Sequence, residues 1–183
     1  GSGDDNQEKI ILGPKDTKEL YDGTPLVATE LKGLEDYIAL GYTYDATFSG
    51  SQTDPGQSLS SIQTLTIYDA SGNDVTSDFD ILYETGKIIV YSKAIIIETD
   101  SLTKVYDGEY LVNQNDQNYN IIGELEDGHT ISNVEFTGKQ LNVGVSANRA
   151  IITIIDELGQ DVTWKYYIIP NYGDLEVTPR SIQ

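Results

Sequence analysis

One series of motifs runs through this chain twice, and a repeat constrains the fold more than any single residue can. Tyr21-Asp22-Gly23 returns as Tyr106-Asp107-Gly108. Phe48-Ser49-Gly50-Ser51-Gln52 matches Phe136-Thr137-Gly138-Lys139-Gln140. Gly72-Asn73-Asp74-Val75-Thr76 matches Gly159-Gln160-Asp161-Val162-Thr163. Ile10, Ile11 and Leu12 match Ile95, Ile96 and Ile97 at an offset of 85, which the Tyr-Asp-Gly triplets keep. The offset becomes 88 at the Phe-x-Gly-x-Gln element and 87 at the Gly-x-Asp-Val-Thr element. Changes in length are expected in loops, constant offsets in packed elements.

The repeat divides the 183 residues into two small domains, 9–92 and 93–179. Residues 180–183 stand where a further repeat would begin, since Ile182 occupies the place of Ile95. Gly1-Ser2-Gly3 has the composition of a tag remnant, so residues 1–8 are expected to be a tag remnant and flexible N-terminus.

Strand patterns dominate both copies. Thr64-Leu65-Thr66-Ile67-Tyr68 alternates and ends in a turn-forming run, Asp69 to Asp74. Its counterpart is Ile151 to Ile155, followed by Asp156 to Asp161. Comparing copies separates the faces. Leu65/Ile152 and Ile67/Ile154 stay apolar and are expected to face inward. Ile88/Leu175 and Val90/Val177 follow the same rule, while Ile89 is matched by Glu176. Further expected core pairs are Leu20/Val105, Leu26/Leu111, Phe48/Phe136, Val75/Val162, Phe79/Tyr166 and Ile81/Ile168. Gly86 and Gly173 precede the last strand, where a tight turn would use positive φ. Leu31, Leu34 and Ile38 have helical spacing, but the second copy offers only Gly123 to Gly128 there. The expected fold is therefore mainly β, with two tandem small domains, each an immunoglobulin-like β-sandwich. The alternative is a small sheet with one short helix on a face.

Strand 86–91 leads into Ile95-Ile96-Ile97 with no Gly- or Pro-rich linker, so limited hinging is expected, with the Ile run under the next domain or at the junction.

Candidate sites are few. The net charge of −19 disfavours nucleic acid and anionic membrane as partners. No apolar run approaches the roughly 18 residues of a membrane span. The absence of cysteine removes thiol catalysis and cysteine-based zinc sites. His129 is the only histidine, and no nucleophile is placed beside it in a repeated motif. No enzyme activity and no cofactor are expected. Asp69 and Asp74, and Asp156 and Asp161, are calcium candidates because calcium takes loop oxygens, as is the run Asn113 to Asn118. Neither turn fits the twelve-residue calcium loop, and hairpin turns are rich in Asp in any case. Lys104 and Lys87, possible partners in an isopeptide bond, are matched by Glu19 and Asp174, so no repeated pair exists. Tyr42 and Tyr44 share parity on an expected strand and are candidates for a ligand-binding face. The Tyr-Asp-Gly triplets are expected to be structural turns, with glycine at positive φ and the tyrosine ring packed.

The second copy carries a resemblance. Thr103-Lys104-Val105-Tyr106-Asp107-Gly108, Leu125-Glu126-Asp127-Gly128-His129-Thr130-Ile131, Phe136 through Gly144, and Tyr172 through Arg180 resemble the YDG/MBG-type repeats of bacterial cell-surface proteins and adhesins. The first copy departs from that pattern, with Asp54-Pro55-Gly56 for Asn-Val-Gly and Ser92-Lys93 for Pro-Arg. The resemblance implies a mainly-β repeat in a stalk outside the cell, attached to the cell wall, with no catalytic residues. Its partners would be neighbouring repeats of the same chain, and the segment would be a monomer. A direct binding role, toward a glycan or a host matrix protein, is the second expectation.

Overall fold

A computed structural model describes residues 6–114 and 117–182 of the chain. The protein is mainly β, built of several sheets, and divides into two units, Gly1–Tyr91 and Ser92–Gln183. Ser92 belongs with the second unit, where its N–H donates to Lys165 O at 2.7 Å. Residues 1–5, Asn115, Asp116 and Gln183 lie outside the described residues. The expected flexible N-terminus is shorter than residues 1–8, because Glu8 already opens the first strand and Gln7 Nε2 donates to Ser77 O. Arg180, Ser181 and Ile182, read as the start of a further repeat, carry no regular structure.

In the first unit the strands are β1 (Glu8–Pro14), β2 (Thr17–Leu20), β3 (Leu31–Lys32), β4 (Thr43–Ser49), β5 (Gly56–Tyr68), β6 (Phe79–Tyr83) and β7 (Gly86–Tyr91). A four-residue helix, α1 (Glu35–Ile38), lies between β3 and β4. Two sheets form, ordered β3-β1-β6 and β2-β7-β5-β4. β1 runs parallel to β6 and β2 parallel to β7; the other ladders are antiparallel. The core draws on both sheets: Leu12, Leu31, Leu34, Ile67 and Phe79 are buried, with Ile10, Tyr44, Phe48, Leu65 and Ile81 packed around them. Each such side chain withdrawn from water is worth about 1.5–3 kcal/mol.

The second unit repeats the plan. Its strands are β8 (Lys93–Thr99), β9 (Leu102–Val105), β10 (Leu111–Val112), β11 (Tyr119–Ile122), β12 (Thr130–Phe136), β13 (Lys139–Gln140), β14 (Gly144–Ala147), β15 (Ala150–Ile155), β16 (Tyr166–Asn171) and β17 (Asp174–Thr178). β8 runs parallel to β16 and β9 parallel to β17, as β1 and β2 do with β6 and β7. β14 and β15 together take the place of β5. Ile95, Ile97, Ile152, Ile154, Val162 and Tyr166 are buried in its core. Ile95 and Ile97, expected under the domain that follows strand 86–91 or at the junction, are buried in the core of the second unit.

The ladders also locate the changes in length. Thr43 pairs with Tyr68 and Thr130 with Ile155, an offset of 87. Phe48 pairs with Ile62 and Phe136 with Ala150, an offset of 88. Between them the first unit skips Gln63 on β5, and the second skips Ser132 on β12. Each copy thus holds an extra residue on opposite strands of the same ladder. These are β-bulges, so two of the length changes lie inside strands rather than in loops.

Each unit is organised around one crossing. β1 and β2, and likewise β6 and β7, lie in different sheets, so the chain passes between sheets at Pro14–Asp16 and again at Glu84–Gly86. β5 changes partner there within its own sheet: Gly56–Ser60 pairs with β7, and Ser61 onward with β4. At Gly86 an added Cβ would stand 2.5 Å from Pro14 O and 3.1 Å from Ser60 Oγ. At Gly173 it would stand 2.4 Å from the carbonyl carbon of Asp100. Neither glycine has positive φ. The expected reason for them is therefore corrected: they let two backbones touch, as glycine does where a side chain has no room.

Leu20 and Val105 are also corrected. They are 45% and 54% exposed. Leu20 pairs with Tyr91, not with inward-facing Val90, so its parity points outward. Val105 pairs with Thr178 in the same register.

Candidate functional site

The Tyr-Asp-Gly turns have the same geometry in both units. Asp22 Oδ1 accepts the Thr24 N–H at 2.9 Å and the Thr24 hydroxyl at 2.7 Å. Asp107 Oδ1 accepts the Glu109 N–H at 2.9 Å and Lys104 Nζ at 2.8 Å. Gly23 and Gly108 follow with φ of 80° and 81°, the left-handed conformation that such a turn requires. The Thr24 hydroxyl, and then its N–H, hold the Asp22 carboxyl below the ordinary carboxylate range. Lys104, and then the Glu109 N–H, do the same for Asp107. The triplet opens where β2 or β9 leaves the last strand: Tyr21 N–H donates to Tyr91 O and Tyr106 N–H to Thr178 O, each at 2.8 Å. The rings do not pack as expected, because Tyr21 is 50% and Tyr106 40% exposed.

The tyrosines read as a binding face point the other way. Tyr42 and Tyr44 do share parity, but both pack against the core of the first unit. The Tyr44 hydroxyl accepts the Leu31 N–H at 3.1 Å, and Tyr42 leans on Tyr37 with ring centres 5.2 Å apart. Rings that reach solvent belong instead to Tyr21, Tyr83, Tyr106, Tyr167 and Tyr110, the last with Lys139 Nζ 4.9 Å above it. The signal that could have found Tyr21 and Tyr106 was present: each is followed by Asp-Gly, and a turn between strands stands in water.

The acidic turns use their carboxylates internally. Asp69 Oδ1 accepts the N–H groups of Ser71 and Asn73 at 3.0 and 2.9 Å; Asp156 Oδ1 accepts those of Leu158 and Gln160, both at 2.9 Å. Asp74 Oδ1 accepts the hydroxyl and N–H of Thr76, and Asp161 Oδ1 the N–H of Thr163. The threonine hydroxyls in turn accept the N–H of Ile67 and Ile154, both at 2.8 Å. Asp-x-Thr is therefore a latch that ties the turn to the strand before it. The Asn73 N–H lowers the Asp69 carboxyl and the Thr76 hydroxyl lowers Asp74, each holding the charged form. Among the described residues, no group of three or more His, Cys, Asp and Glu gathers to hold a metal ion. Within Asn113 to Asn118, Asn118 Nδ2 donates to Asn113 Oδ1 at 3.3 Å.

His129 has more partners than its isolation in sequence implied. Its Nδ1 lies 2.6 Å from the Tyr166 hydroxyl, and its Nε2 lies 3.5 Å from Glu126 Oε2. The Tyr166 oxygen also accepts the Glu126 N–H at 2.9 Å, so Tyr166 and Glu126 together hold both ring nitrogens of His129. Burial raises the Tyr166 phenol above its ordinary range. The ladder makes Tyr42 the counterpart of His129, since each precedes an equivalent ladder residue, Thr43 or Thr130. The first unit fills the same space with Tyr42, Tyr37 and Phe79, the last two packed edge to face at 5.0 Å.

No family model matches this chain, and no curated protein is similar to it at a significant level. Among the described residues, no helix is long and apolar enough to cross a membrane.

Proposed function

We propose that the two units are non-catalytic spacer modules in the stalk of a bacterial cell-surface, adhesin-like protein. One observation carries this reading: the buried framework recurs while the surroundings vary. The crossing glycines, the Asp-x-Thr latches and the inward strand residues appear in both units. The His129–Tyr166 cluster and α1 each appear in one. A spacer must fold reliably and stay soluble, and its surface is otherwise free to change. The acidic charge supports solubility, and a single residue, Ser92, separates β7 from β8.

A second reading is favoured by the half-exposed rings of Tyr21 and Tyr106, which recur at one position beside a fixed carboxylate. Such a pair can stack on a sugar ring and accept its hydroxyls, or anchor a host extracellular protein.

A binding screen separates the two. The protein is passed over glycans and extracellular-matrix proteins, with and without calcium. The spacer reading expects silence in both conditions. A specific hit lost in the Tyr21→Ala/Tyr106→Ala double variant, with its unfolding curve unchanged, would replace it with the binding reading.

A further inference from the structure

β6 and β16 occupy the same place in the two units, at the open end of a sheet. In a parallel ladder alternate residues turn both N–H and C=O to the same side. The Glu84 N–H donates to Leu12 O, so Glu84, Leu82 and Asp80 bond toward β1. Ile81 and Tyr83 therefore turn their N–H and C=O to the open side, as Phe79 does its C=O. In the second unit the residue equivalent to Tyr83 is Pro170, paired with Ile97 as Tyr83 is with Leu12. Proline has no N–H to offer, a common way to close a sheet edge. The first unit has no such block.

The surroundings differ in the same sense. A groove of about 540 Å³ runs along β6, lined by Asp74, Thr76, Ser77, Phe79, Ile81 and Tyr83. Leu82 and Tyr83 on this edge are 63% and 57% exposed. Asp74, Asp78, Asp80 and Glu84 stand exposed along it; against these four carboxylates stand two lysines, Lys9 beside Asp80 in the ladder and Lys32 at 3.6 Å from Glu84. The positions equivalent to those four carboxylates in the second unit hold Asp161, Lys165, Tyr167 and Asn171. One edge is acidic and open; the other is balanced in charge and closed by proline.

We propose that β6 binds an extended basic segment of another protein by strand addition, and that β16 does not. Main-chain bonds to Ile81 and Tyr83 would supply the pairing. Alternate side chains of the added strand would be apolar, entering the groove beside Phe79 and Ile81, and basic, on the outer side near Asp80 and Glu84. Charge complementarity selects this occupant: a second copy of a chain with net charge −19 would set one carboxylate row against another. The proposal does not rest on the spacer reading, since it concerns one edge of one unit.

The test uses the whole chain, isotope-labelled, titrated with a short peptide of alternating lysine and valine. A control peptide has the same charge but proline at every second position. Amide shifts and slowed hydrogen exchange are expected at Ile81 and Tyr83 and not along β16, with affinity falling as salt rises. Tyr83→Pro, which copies the second unit, should weaken binding about tenfold. Asp78→Lys with Asp80→Tyr should weaken it without touching the backbone, which keeps the test valid if the proline variant folds poorly. The proposal is overturned by no binding, by equal binding of the control peptide, by shifts spread over both units, or by self-association of the protein alone through β6.

Discussion

The two units solve one geometric problem with different side chains. Three stretches of chain meet at one point in each, where the chain passes between sheets, and the backbones must touch. In the second unit the crossing is a hydrogen-bonded knot. Asn148 is fully buried; its Nδ2 donates to Asp100 O at 2.8 Å and its N–H to Gly173 O at 2.8 Å, while its Oδ1 has no hydrogen-bond partner. The Thr99 hydroxyl donates to Asn148 O at 2.7 Å and accepts the Gly173 N–H at 3.0 Å. The equivalent residues in the first unit are Ser60, Gly86 and Pro14, all buried. Ser60 Oγ has no hydrogen-bond partner, and β5 runs through unbroken where β14 and β15 separate around Asn148. Only the glycine is common to both. Close approach admits one residue type, whereas the polar atoms around it can be satisfied in more than one way, or dispensed with.

The largest expected effect falls on the shared feature. Gly173→Ala and Gly86→Ala should each cost about 3 kcal/mol, because backbone rather than a movable side chain blocks the new methyl group. Urea unfolding measures this; a cost under about 1 kcal/mol at either site would mean the crossing can relax. The next effect separates the units. Asn148→Ala should cost about 1–2 kcal/mol, since it takes the side-chain donor from the part-buried Asp100 carbonyl. Ser60→Ala should be neutral or slightly stabilising, since it removes a buried hydroxyl that bonds to nothing. Equal losses at the two sites would erase the distinction between a bonded and a packed crossing.

The smallest effect concerns Tyr166 and Phe79. Tyr166→Phe writes the first unit's residue into the second and should cost about 1 kcal/mol, through the bonds to His129 and Glu126. It should also alter the alkaline limb of stability. The phenol of Tyr166 titrates higher in the fold than its ordinary value near 10. The neutral form is therefore favoured by folding, and that contribution is complete below pH 10. It is lost as pH rises from there through the folded value. Subtracting variant from parent curves should isolate this loss. A difference that stays constant across that range would mean the ring contributes packing alone.

How much of this could be read beforehand depends on the kind of interaction. Turns were legible because their chemistry is local: Asp22-Gly23 and Asp74-x-Thr76 close bonds within a few residues. Inward strand positions such as Ile67 and Val90 were legible because period two and the comparison of copies agree. Leu20 and Val105 misled because both are apolar, yet the ladder to Tyr91 and Thr178 turns them outward, and pairing register is a tertiary property. Tyr42 and Tyr44 misled for the converse reason: tyrosine suits either face of a strand, and here a hydroxyl meets a buried N–H. Ser60 and Asn148 were invisible because they differ in type, so comparing copies hid the crossing they share. The bulges hid for a similar reason: Gln63 and Ser132 nearly cancel in the count of residues.

The parallel pairing of the first strands with the last sets how a unit bears load. Glu8 lies beside Phe79 where β1 and β6 begin, and Leu20 lies beside Tyr91 where β2 and β7 end. Tension on the two ends of the unit pulls β1 and β7 toward opposite ends of these ladders. The bonds are then strained side by side, in shear, and must yield together instead of opening one at a time like a zip. The same arrangement holds for β8 with β16 and β9 with β17, so resistance to extension is built into each copy separately.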